Sequence, residues 1–545
     1  MSQKYIIPLL FLLLLLGGCW LLPDYGLSWD EHPQREHGLV SADYINEVFD
    51  LGRYKERDWL PLEDYKYQHY GVLFQLVAYY AGKYLELDSL REQYLLRHYL
   101  GWLWFWTGCI FFFKFLRLRF STVQAGVGVL LLLLTPRIFA HAFFNPKDTV
   151  LLAGMIIAFY THIRFLQKMN LKYALLHALA CAVVINIRIT GMVMPAFTIL
   201  FLGLEMWRRF FSDRRDVPPL RWLLMSVIWA VVTVGLTVAF WPYLWENPRE
   251  HFIEAFTVMS AYPWTGKIML YGQTLLSTEL PWYYIPAWMS ATVPPLFLAA
   301  GAVGLVMILA KTLRNLWQKK VPYADTAGMI DLLAFGFFVG TLFVVIYKGS
   351  VLYNGWRQMY FIYPAFLTAG LVAVFGAADY LRRQPRTLLK KIGFGILLGA
   401  VALQSLFILV FYVKNHPWQH LYFNVFAGKN TTERFEADYW GVAYKQAYEK
   451  ILEIDDRDTI RVAAMQENFP GRLNYDFLPP ATQTRLQFET DGRAADYLIV
   501  DYIGEGVAQR RRDGAFPFDQ ETAFEFKTQG NPFLRTVRIR PSKEE

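Results

Sequence analysis

The stretch Ser28-Trp29-Asp30-Glu31-His32 directly follows the first hydrophobic segment of the chain, residues 5–22. Side chains that anchor a helix at that depth of a bilayer are usually Lys, Arg, Trp or Tyr. Two adjacent carboxylates and an imidazole have no anchoring role there. The stretch therefore indicates active-site acids at a membrane surface, and its plainer alternative is a solvated loop that carries two ordinary acids.

The composition predicts a polytopic membrane protein. Of the 545 residues, 55% are hydrophobic and 18% are charged, against roughly 25% charged residues in soluble domains. We expect about eleven transmembrane helices from the apolar segments, including a single span at about 285–309, and a short loop at residues 136–148. The net charge of +8 does not indicate nucleic acid, because the basic residues cluster in short segments between apolar runs. The three cysteines lie inside apolar runs, so they predict neither a disulfide framework nor a metal site.

The basic clusters also predict the orientation in the membrane. With the N-terminus in the cytoplasm, five clusters fall on the cytoplasmic side, as the positive-inside rule requires; they are residues 114–119, 164–172, 208–221, 311–320 and 382–391. The long polar segments, about 24–97 and 243–284, then lie outside. Because many spans follow, we expect an uncleaved first helix rather than a lipoprotein signal ending at Cys19. The expected location is the plasma membrane, which is the inner membrane in bacteria.

Two domains are expected on this basis. Residues 1–413 form a transmembrane domain, and residues 414–545 form a small extracytoplasmic α/β domain. In the second domain, residues 458–464 and 496–502 have the pattern of strands, and residues 439–452 have the pattern of a helix.

Three polar clusters fall on the outer side in this topology. They are Asp30-Glu31-His32, then His141 with Asn145-Pro146-Lys147-Asp148, and finally Lys348 with Tyr353-Asn354-Gly355-Trp356-Arg357-Gln358. A carboxylate can accept the proton of a hydroxyl group. Arg and Lys bind phosphate, and aromatic faces such as Trp29, Trp245, Trp264 and Trp282 stack on sugar rings. The clusters therefore predict a site for a phosphate carried on a lipid.

Each of these residues also has a simpler interpretation. Lys147 and Lys348 can extend towards the interface as ordinary flanking lysines. Arg357 beside Trp356 can be an interface anchor. Asp148 can complement a helix dipole. Arg188, at the end of a span, can pair with a lipid phosphate or with a carboxylate, and the sequence does not distinguish the two.

The ordered set of motifs resembles the GT-C superfamily of membrane glycosyltransferases, and bacterial family-39-like proteins in particular. These are relatives of the protein O-mannosyltransferases and the aminoarabinose transferases. The similarity is carried by the Asp-Glu pair, the Asn-Pro-Lys-Asp loop, Gly-Trp-Arg, and the segments 416–424 and 435–441. It spans nearly the whole chain. The resemblance implies a polyprenyl-phosphate sugar donor, inversion at the anomeric carbon, and an acceptor that the motifs do not identify.

The resemblance also implies roles for single residues. Asp30 matches the catalytic carboxylate, with Glu31 and Asp148 as its orienting neighbours. We expect Lys147, His141, Arg357 and Lys348 to bind the donor phosphate. Some members need a divalent cation, but this chain lacks Asp-x-Asp in its second loop, so no metal ligand is assigned and the cofactor stays unknown.

Two other classes of function remain open at this point. A transporter or flippase of lipid-linked sugars would predict charges at mid-span and repeat symmetry. A membrane-anchored binding module would act through residues 416–545. The sequence does not reveal the sugar, the acceptor or the oligomeric state.

Overall fold

The computed structural model describes residues 3–51, 60–211, 218–383, 388–465 and 469–539. The predicted basic clusters at 208–221 and 382–391 lie partly outside these residues. The helices are, in chain order, α1 (Gln3–Leu21), α2 (Glu31–Val48), α3 (Leu73–Tyr84), α4 (Leu90–Leu116), α5 (Thr122–Leu133), α6 (Pro136–Phe144), α7 (Asp148–Lys168), α8 (Leu171–Ile187), α9 (Val193–Phe211), α10 (Pro219–Phe240), α11 (Pro248–Ser260), α12 (Tyr284–Thr292), α13 (Pro295–Trp317), α14 (Thr326–Tyr347), α15 (Tyr363–Arg383), α16 (Leu388–Asn415), α17 (Thr431–Arg434), α18 (Tyr444–Ile454), α19 (Gly471–Asp476), α20 (Pro480–Gln483) and α21 (Glu505–Asp513). The strands are β1 (Lys267–Leu270), β2 (Gln273–Leu276), β3 (Ile460–Ala464), β4 (Leu486–Phe488), β5 (Tyr497–Asp501), β6 (Glu521–Thr528) and β7 (Asn531–Arg538).

The helical part matches the apolar segments of the sequence. Within the described ranges, eight helices are long and apolar enough to cross a membrane, and a ninth span results if α5 and α6 count as one. Helix α8 and the Gly399–Asn415 part of α16 are shorter apolar helices. Together these segments correspond one by one to the eleven predicted from the sequence. The chain is a multi-pass membrane protein.

Proline residues explain the two places where the helices differ from the prediction. Residues 136–144, predicted to begin a loop, form helix α6, which meets α5 at 71°. Pro136 occupies the first turn of α6, where its missing N–H is tolerated and its ring prevents α5 from continuing. The predicted single span at 285–309 is likewise divided into α12 and α13, because Pro294-Pro295 interrupts it.

The C-terminal part contains a five-stranded mixed sheet in the order β4-β3-β5-β7-β6. Strand β3 pairs in parallel with β4 and β5, whereas β7 pairs antiparallel with β5 and β6. Strands β3 and β5 and helix α18 lie at the positions expected from the sequence. The division of the chain at residue 413 stays a prediction.

Residues after α16 return to the mouth of the helical part. The Tyr25 hydroxyl donates to Gln419 Oε1 at 2.8 Å, and the Trp29 amide donates to the Trp440 carbonyl at 3.0 Å. The Leu27 amide donates to Asn474 Oδ1 at 2.8 Å. The segment that begins with Ser28-Trp29-Asp30 is therefore held between the bundle and the C-terminal part.

The packing of α13 against α15 gives a testable consequence at Gly304. A methyl group there would lie 1.8 Å from the Ala369 carbonyl oxygen, so Gly304→Ala forces the helices apart. We expect a loss of about 1–3 kcal/mol in the free energy of unfolding, measured by thermal unfolding in detergent. Gly235→Ala in α10 is the matched control, because nothing lies within 4 Å of its added methyl group. Equal melting temperatures for the two variants would contradict this packing.

Candidate active site

A guanidinium group joins the two carboxylates that the sequence placed far apart. Arg357 Nη1 donates to Asp30 Oδ2 at 3.2 Å and to Asp148 Oδ2 at 2.8 Å. Arg357 lies in the single 3-10 turn between α14 and α15, and Asp30 immediately precedes α2. The side chain of Asp30 is 21% exposed, whereas that of Asp148 is 1% exposed. The pair therefore consists of one accessible carboxylate and one enclosed carboxylate.

The loop before α7 fixes Asp148. Asn145 Oδ1 accepts the amide hydrogens of Lys147 and Asp148 at 3.1 and 2.8 Å, and its Nδ2 donates to Asp148 Oδ2 at 3.1 Å. Arg188, at the end of α8, donates to the other oxygen of Asp148. A buried carboxylate is tolerated only when it is paired and hydrogen-bonded. Asp148 meets this condition through two arginines and one amide.

Lys147 lies beside the accessible carboxylate. Its Nζ is 3.8 Å from Asp30 Oδ2 and 4.2 Å from the centre of the Tyr70 ring. Burial lowers the pKa of Lys147 to about 8, and the charge of Asp30 partly opposes this shift. An anion that entered beside Lys147 would stabilise its charged form.

Aromatic rings enclose the guanidinium of Arg357. Its central carbon lies 4.5 Å from the ring centre of Trp440 and 5.1 Å from that of Tyr353. The Trp264 ring centre is 4.4 Å from that of Tyr353. Of the four tryptophans predicted to stack on sugar rings, Trp264 packs against Tyr353, which contacts Arg357. The backbone amide of Trp29 donates a hydrogen bond to the backbone carbonyl of Trp440.

Glu31 and His141 have other partners. Glu31 is fully buried, accepts the Ser28 amide and hydroxyl hydrogens, and lies 2.6 Å from His98 Nε2. The two ring nitrogens of the buried His141 face Asn145 Nδ2 and Trp440 Nε1 at 3.2 and 3.3 Å. Both side chains therefore support the loops that carry Asp30 and Asp148, and their assigned roles in orientation and phosphate binding stay predictions.

An apolar cavity of about 480 Å³ adjoins the ion cluster. Its wall comes from α9, α11 and α14 and from the segments 188–192 and 348–359, and its polar lining includes Arg188, Lys348 and Tyr353. Arg188 contacts Asp148, and Tyr353 stacks near Arg357. Lys348 is exposed and lies 5.9 Å from the ring centre of Phe256. Two residues of the cavity wall, Arg188 and Tyr353, therefore also belong to the ion cluster.

The carboxylates of this cluster are already neutralised by the chain itself. Among the described residues, no group of three His, Cys, Asp or Glu side chains is arranged to hold a metal ion. Asp148 is bonded to two arginines, and Asp30 faces Arg357 and Lys147. Because three cations accompany the two carboxylates, this cluster fits a phosphate ligand better than a divalent cation.

Sequence reasoning missed two contributors to the site. The sequence does not distinguish a lipid phosphate from a carboxylate as the partner of Arg188, and in the structure Arg188 pairs with Asp148. Trp440 belongs to the motif segment 435–441 without a predicted role, and its ring covers Arg357. No local signal identifies either partner, because each contact joins segments distant in the sequence.

The chain resembles one known family in sequence and several solved structures in fold. Residues 99–245, about a quarter of the chain, match the family model of dolichyl-phosphate-mannose-protein mannosyltransferases. The structure is similar to the oligosaccharyltransferase of Archaeoglobus fulgidus in its apo form, with a TM-score of 0.51, 10% identity, and coverage of 92% of this chain and 70% of the other. No curated protein sequence matches the chain.

Two further solved structures resemble the chain over almost its full length. ArnT of Cupriavidus metallidurans bound to undecaprenyl phosphate has a TM-score of 0.45 and 14% identity, and 98% of each chain is covered. The apo form of ArnT gives 0.44 and 13%, with 99% of each chain covered.

The family model and the shared fold agree with the ordered motifs of the sequence. A mannosyltransferase-type segment forms helices α4 to α10, and its loops supply Lys147, Asp148 and Arg188. Residues 99–245 thus resemble a family of membrane mannosyltransferases, and the fold resembles that of an oligosaccharyltransferase.

Proposed function

We propose that the chain transfers a sugar from a polyprenyl-phosphate donor to an acceptor hydroxyl, with inversion at the anomeric carbon. The observation that carries the proposal is the Arg357 guanidinium, which contacts Asp30 and Asp148 beside an apolar cavity. A carboxylate, cations that can bind a phosphate and an apolar cavity therefore lie side by side.

The cavity supports a lipid-linked donor. Its wall is mostly aliphatic and aromatic, as a polyprenyl chain requires. A phosphate at the end of such a chain would meet the residues that line the cavity and contact the ion cluster. Arg188 and Lys348 meet that description, and Lys147 and Arg357 lie beyond them.

The cations have different tasks in this proposal. Arg357 and Lys147 hold the phosphate and stabilise the charge that develops on it as the glycosidic bond breaks. Arg188 and Asp148 keep Arg357 in place, since Asp148 bonds to both arginines. Lys348, at the exposed end of α14, attracts the anionic donor to the cavity.

The reaction is a single displacement. The acceptor oxygen attacks the anomeric carbon while the bond from that carbon to the phosphate oxygen breaks, and polyprenyl phosphate leaves with the electron pair. The acceptor proton goes to the Asp30 carboxylate. Asp30 suits this role because its side chain is partly exposed, whereas Asp148 is enclosed by its partners.

The basic clusters support a location in the plasma membrane, the inner membrane in bacteria, with the N-terminus in the cytoplasm. Since Asp30 follows the first span directly, the site then faces the extracytoplasmic side. The C-terminal part then lies on the same side, because the Trp440 carbonyl accepts a hydrogen bond from the Trp29 amide. The acceptor, whether protein, lipid or glycan, would approach from there.

Asp30→Asn tests the base directly. We expect a decrease of about 10²–10⁴ in kcat, because the amide cannot accept the acceptor proton. The assay uses a panel of polyprenyl-phosphate hexoses and pentoses, and the acceptor is identified by mass spectrometry of membrane glycans and glycoproteins from cells with and without the gene. The melting temperature should stay close to that of the wild type.

Two matched variants complete this test. Asp64→Asn removes an exposed carboxylate between α2 and α3, in the same predicted outer segment (about 24–97) as Asp30, and should leave activity unchanged. Asp148→Asn should lower the melting temperature as well as activity, because it leaves two guanidinium groups facing a neutral amide. Asp30→Asn with wild-type kcat would end the assignment of the base.

Ala196→Trp tests the donor cavity. Ala196 lines the cavity on α9, so an indole there should occupy the volume that the lipid needs. We expect a KM for a long-chain donor that is roughly tenfold higher, with kcat nearly unchanged. Ile199→Trp is the control on the same helix, because Ile199 is 63% exposed and does not line the cavity. Equal kinetics for the two variants would place the lipid elsewhere.

The pH dependence tests the charge of Lys147. Because the pKa of Lys147 is lowered to about 8, its ammonium is present below that pH and is lost above it. We expect kcat/KM for the donor, which reports the free enzyme, to fall as the pH rises through about 8. Lys147→Arg should move this decrease to higher pH, and the matched variant Lys348→Arg should leave it in place. A decrease that persists in Lys147→Arg would contradict the role of Lys147.

A further inference from the structure

Trp440, in the C-terminal part, contacts the ion cluster from three directions. Its ring centre lies 4.5 Å from the central carbon of the Arg357 guanidinium, and its indole N–H donates to His141 Nε2 at 3.3 Å. Its backbone carbonyl accepts a hydrogen bond from the amide of Trp29, the residue before Asp30, at 3.0 Å. One residue therefore contacts the guanidinium and the segments that lead into both carboxylates.

The indole face lies against the charge that the donor phosphate would meet. Arg357 is buried, and the Tyr353 ring centre lies 5.1 Å from its central carbon, so aromatic rings of two segments flank the guanidinium. A guanidinium that stacks on an aromatic face is held in a defined plane. Electrostatic interactions are also stronger where water is excluded. Trp440 therefore both orients this cation and limits its hydration.

The turn from which Trp440 projects is held by Asp438. The buried Asp438 carboxylate accepts hydrogen bonds from the Ala443 amide at 2.9 Å and the Val442 amide at 3.4 Å. Its Oδ1 lies 3.0 Å from Nε2 of His420, which is also buried. Because these contacts join residues on both sides of Trp440, they fix the backbone that carries the indole.

Asn474 connects the same turn to the segment of Asp30. Its Nδ2 donates to the carbonyls of Gly441 and Leu27, each at 3.0 Å, and its Oδ1 accepts the Leu27 amide at 2.8 Å. Asn474 is fully buried. The turn and the segment that leads into Asp30 are therefore fixed relative to each other by side-chain and backbone contacts.

Trp418 shows what a tryptophan of the C-terminal part looks like when it only packs. Its ring centre lies 4.7 Å from that of Phe526 and 5.1 Å from that of Phe533, and its indole N–H donates to Gln446 at 3.3 Å. These three partners all belong to the C-terminal part itself. Trp418 therefore provides a matched control for the loss of an indole.

We propose that Trp440 is a positioning residue for sugar transfer, which holds the Arg357 guanidinium towards the donor phosphate, and that Asp438 and His420 position Trp440 in turn. The inference rests on the proposed function, because only a phosphate donor gives Arg357 this task. It assigns a role to the motif segments 416–424 and 435–441, which complete the reaction site from the C-terminal part. Sugar transfer thus requires the C-terminal part, unlike the activity of a separate binding module.

The kinetics of full-length variants test the proposal, with polyprenyl-phosphate hexoses and pentoses as donors and membranes that hold the acceptor. Trp440→Leu removes the aromatic face and should lower kcat roughly 10²-fold, as a misplaced catalytic group does. The donor KM should stay within about threefold of the wild-type value, because the apolar cavity still binds the lipid. Trp440→Phe keeps a ring over Arg357 and should restore most of kcat. Trp418→Leu should leave both constants unchanged.

The outcomes separate positioning from packing. Equal kinetics for Trp440→Leu and the wild type, or an equal loss of kcat in Trp418→Leu, would overturn the proposal. So would a change in donor KM alone, or a Trp440→Phe variant as slow as Trp440→Leu. If Trp440→Leu does not fold, Asp438→Asn carries the test, and we expect it to lower kcat about tenfold.

Hydrogen exchange distinguishes this inference from the proposed function. A wild type that transfers no sugar from any donor would end the proposed function. Exchange of the backbone amides in the turn Arg357–Ile362, followed by mass spectrometry, still measures what Trp440 holds. Faster exchange there in Trp440→Leu than in Trp418→Leu would support the positioning of Arg357, and equal exchange in the two variants would overturn it.

Discussion

The structure depends on one buried carboxylate, Asp148, held between two guanidinium groups. Removing a carboxylate from water costs several kcal/mol, and Arg188, Arg357 and Asn145 offset that cost with direct hydrogen bonds. These three partners come from the loop before α7, the end of α8 and the turn before α15. The ion cluster therefore fixes the relative positions of three chain segments at one end of the helical bundle, and Asp30 approaches a guanidinium that is already in place.

The sequence predicts the helical architecture well because its determinants are local. Apolar length defines each span, and the positions of proline define the two breaks, although the sequence alone predicts a loop at residues 136–144. The residues of the ion cluster were also suggested locally, since Asp30, Lys147, Asp148 and Arg357 are polar groups at the ends of apolar segments. What they do in the reaction stays a prediction that the geometry supports.

The pairings could not be predicted, since each depends on segments far apart in the chain. Arg188 had two plausible partners, and only the packing of α7 against α8 selects Asp148. Glu31 is adjacent to Asp30 in the sequence, but α2 begins at Glu31, and the Glu31 side chain faces His98 instead of Arg357. Trp440 lies about 80 residues after Arg357, whose guanidinium its ring covers, and a tryptophan near a membrane surface is usually an interface residue.

The sharing of Arg357 between two carboxylates suggests how donor binding and proton transfer are coupled in the proposed mechanism. Asp148 has Arg188 and Asn145 as further partners, so it keeps its position when Arg357 also binds a phosphate. Asp30 has only Arg357 and the more distant Lys147. An incoming phosphate competes with Asp30 for both cations, and a carboxylate that loses opposite charges becomes a stronger base. In the proposed mechanism, donor binding thus releases Asp30 from its two cations at the step in which the acceptor proton must be removed.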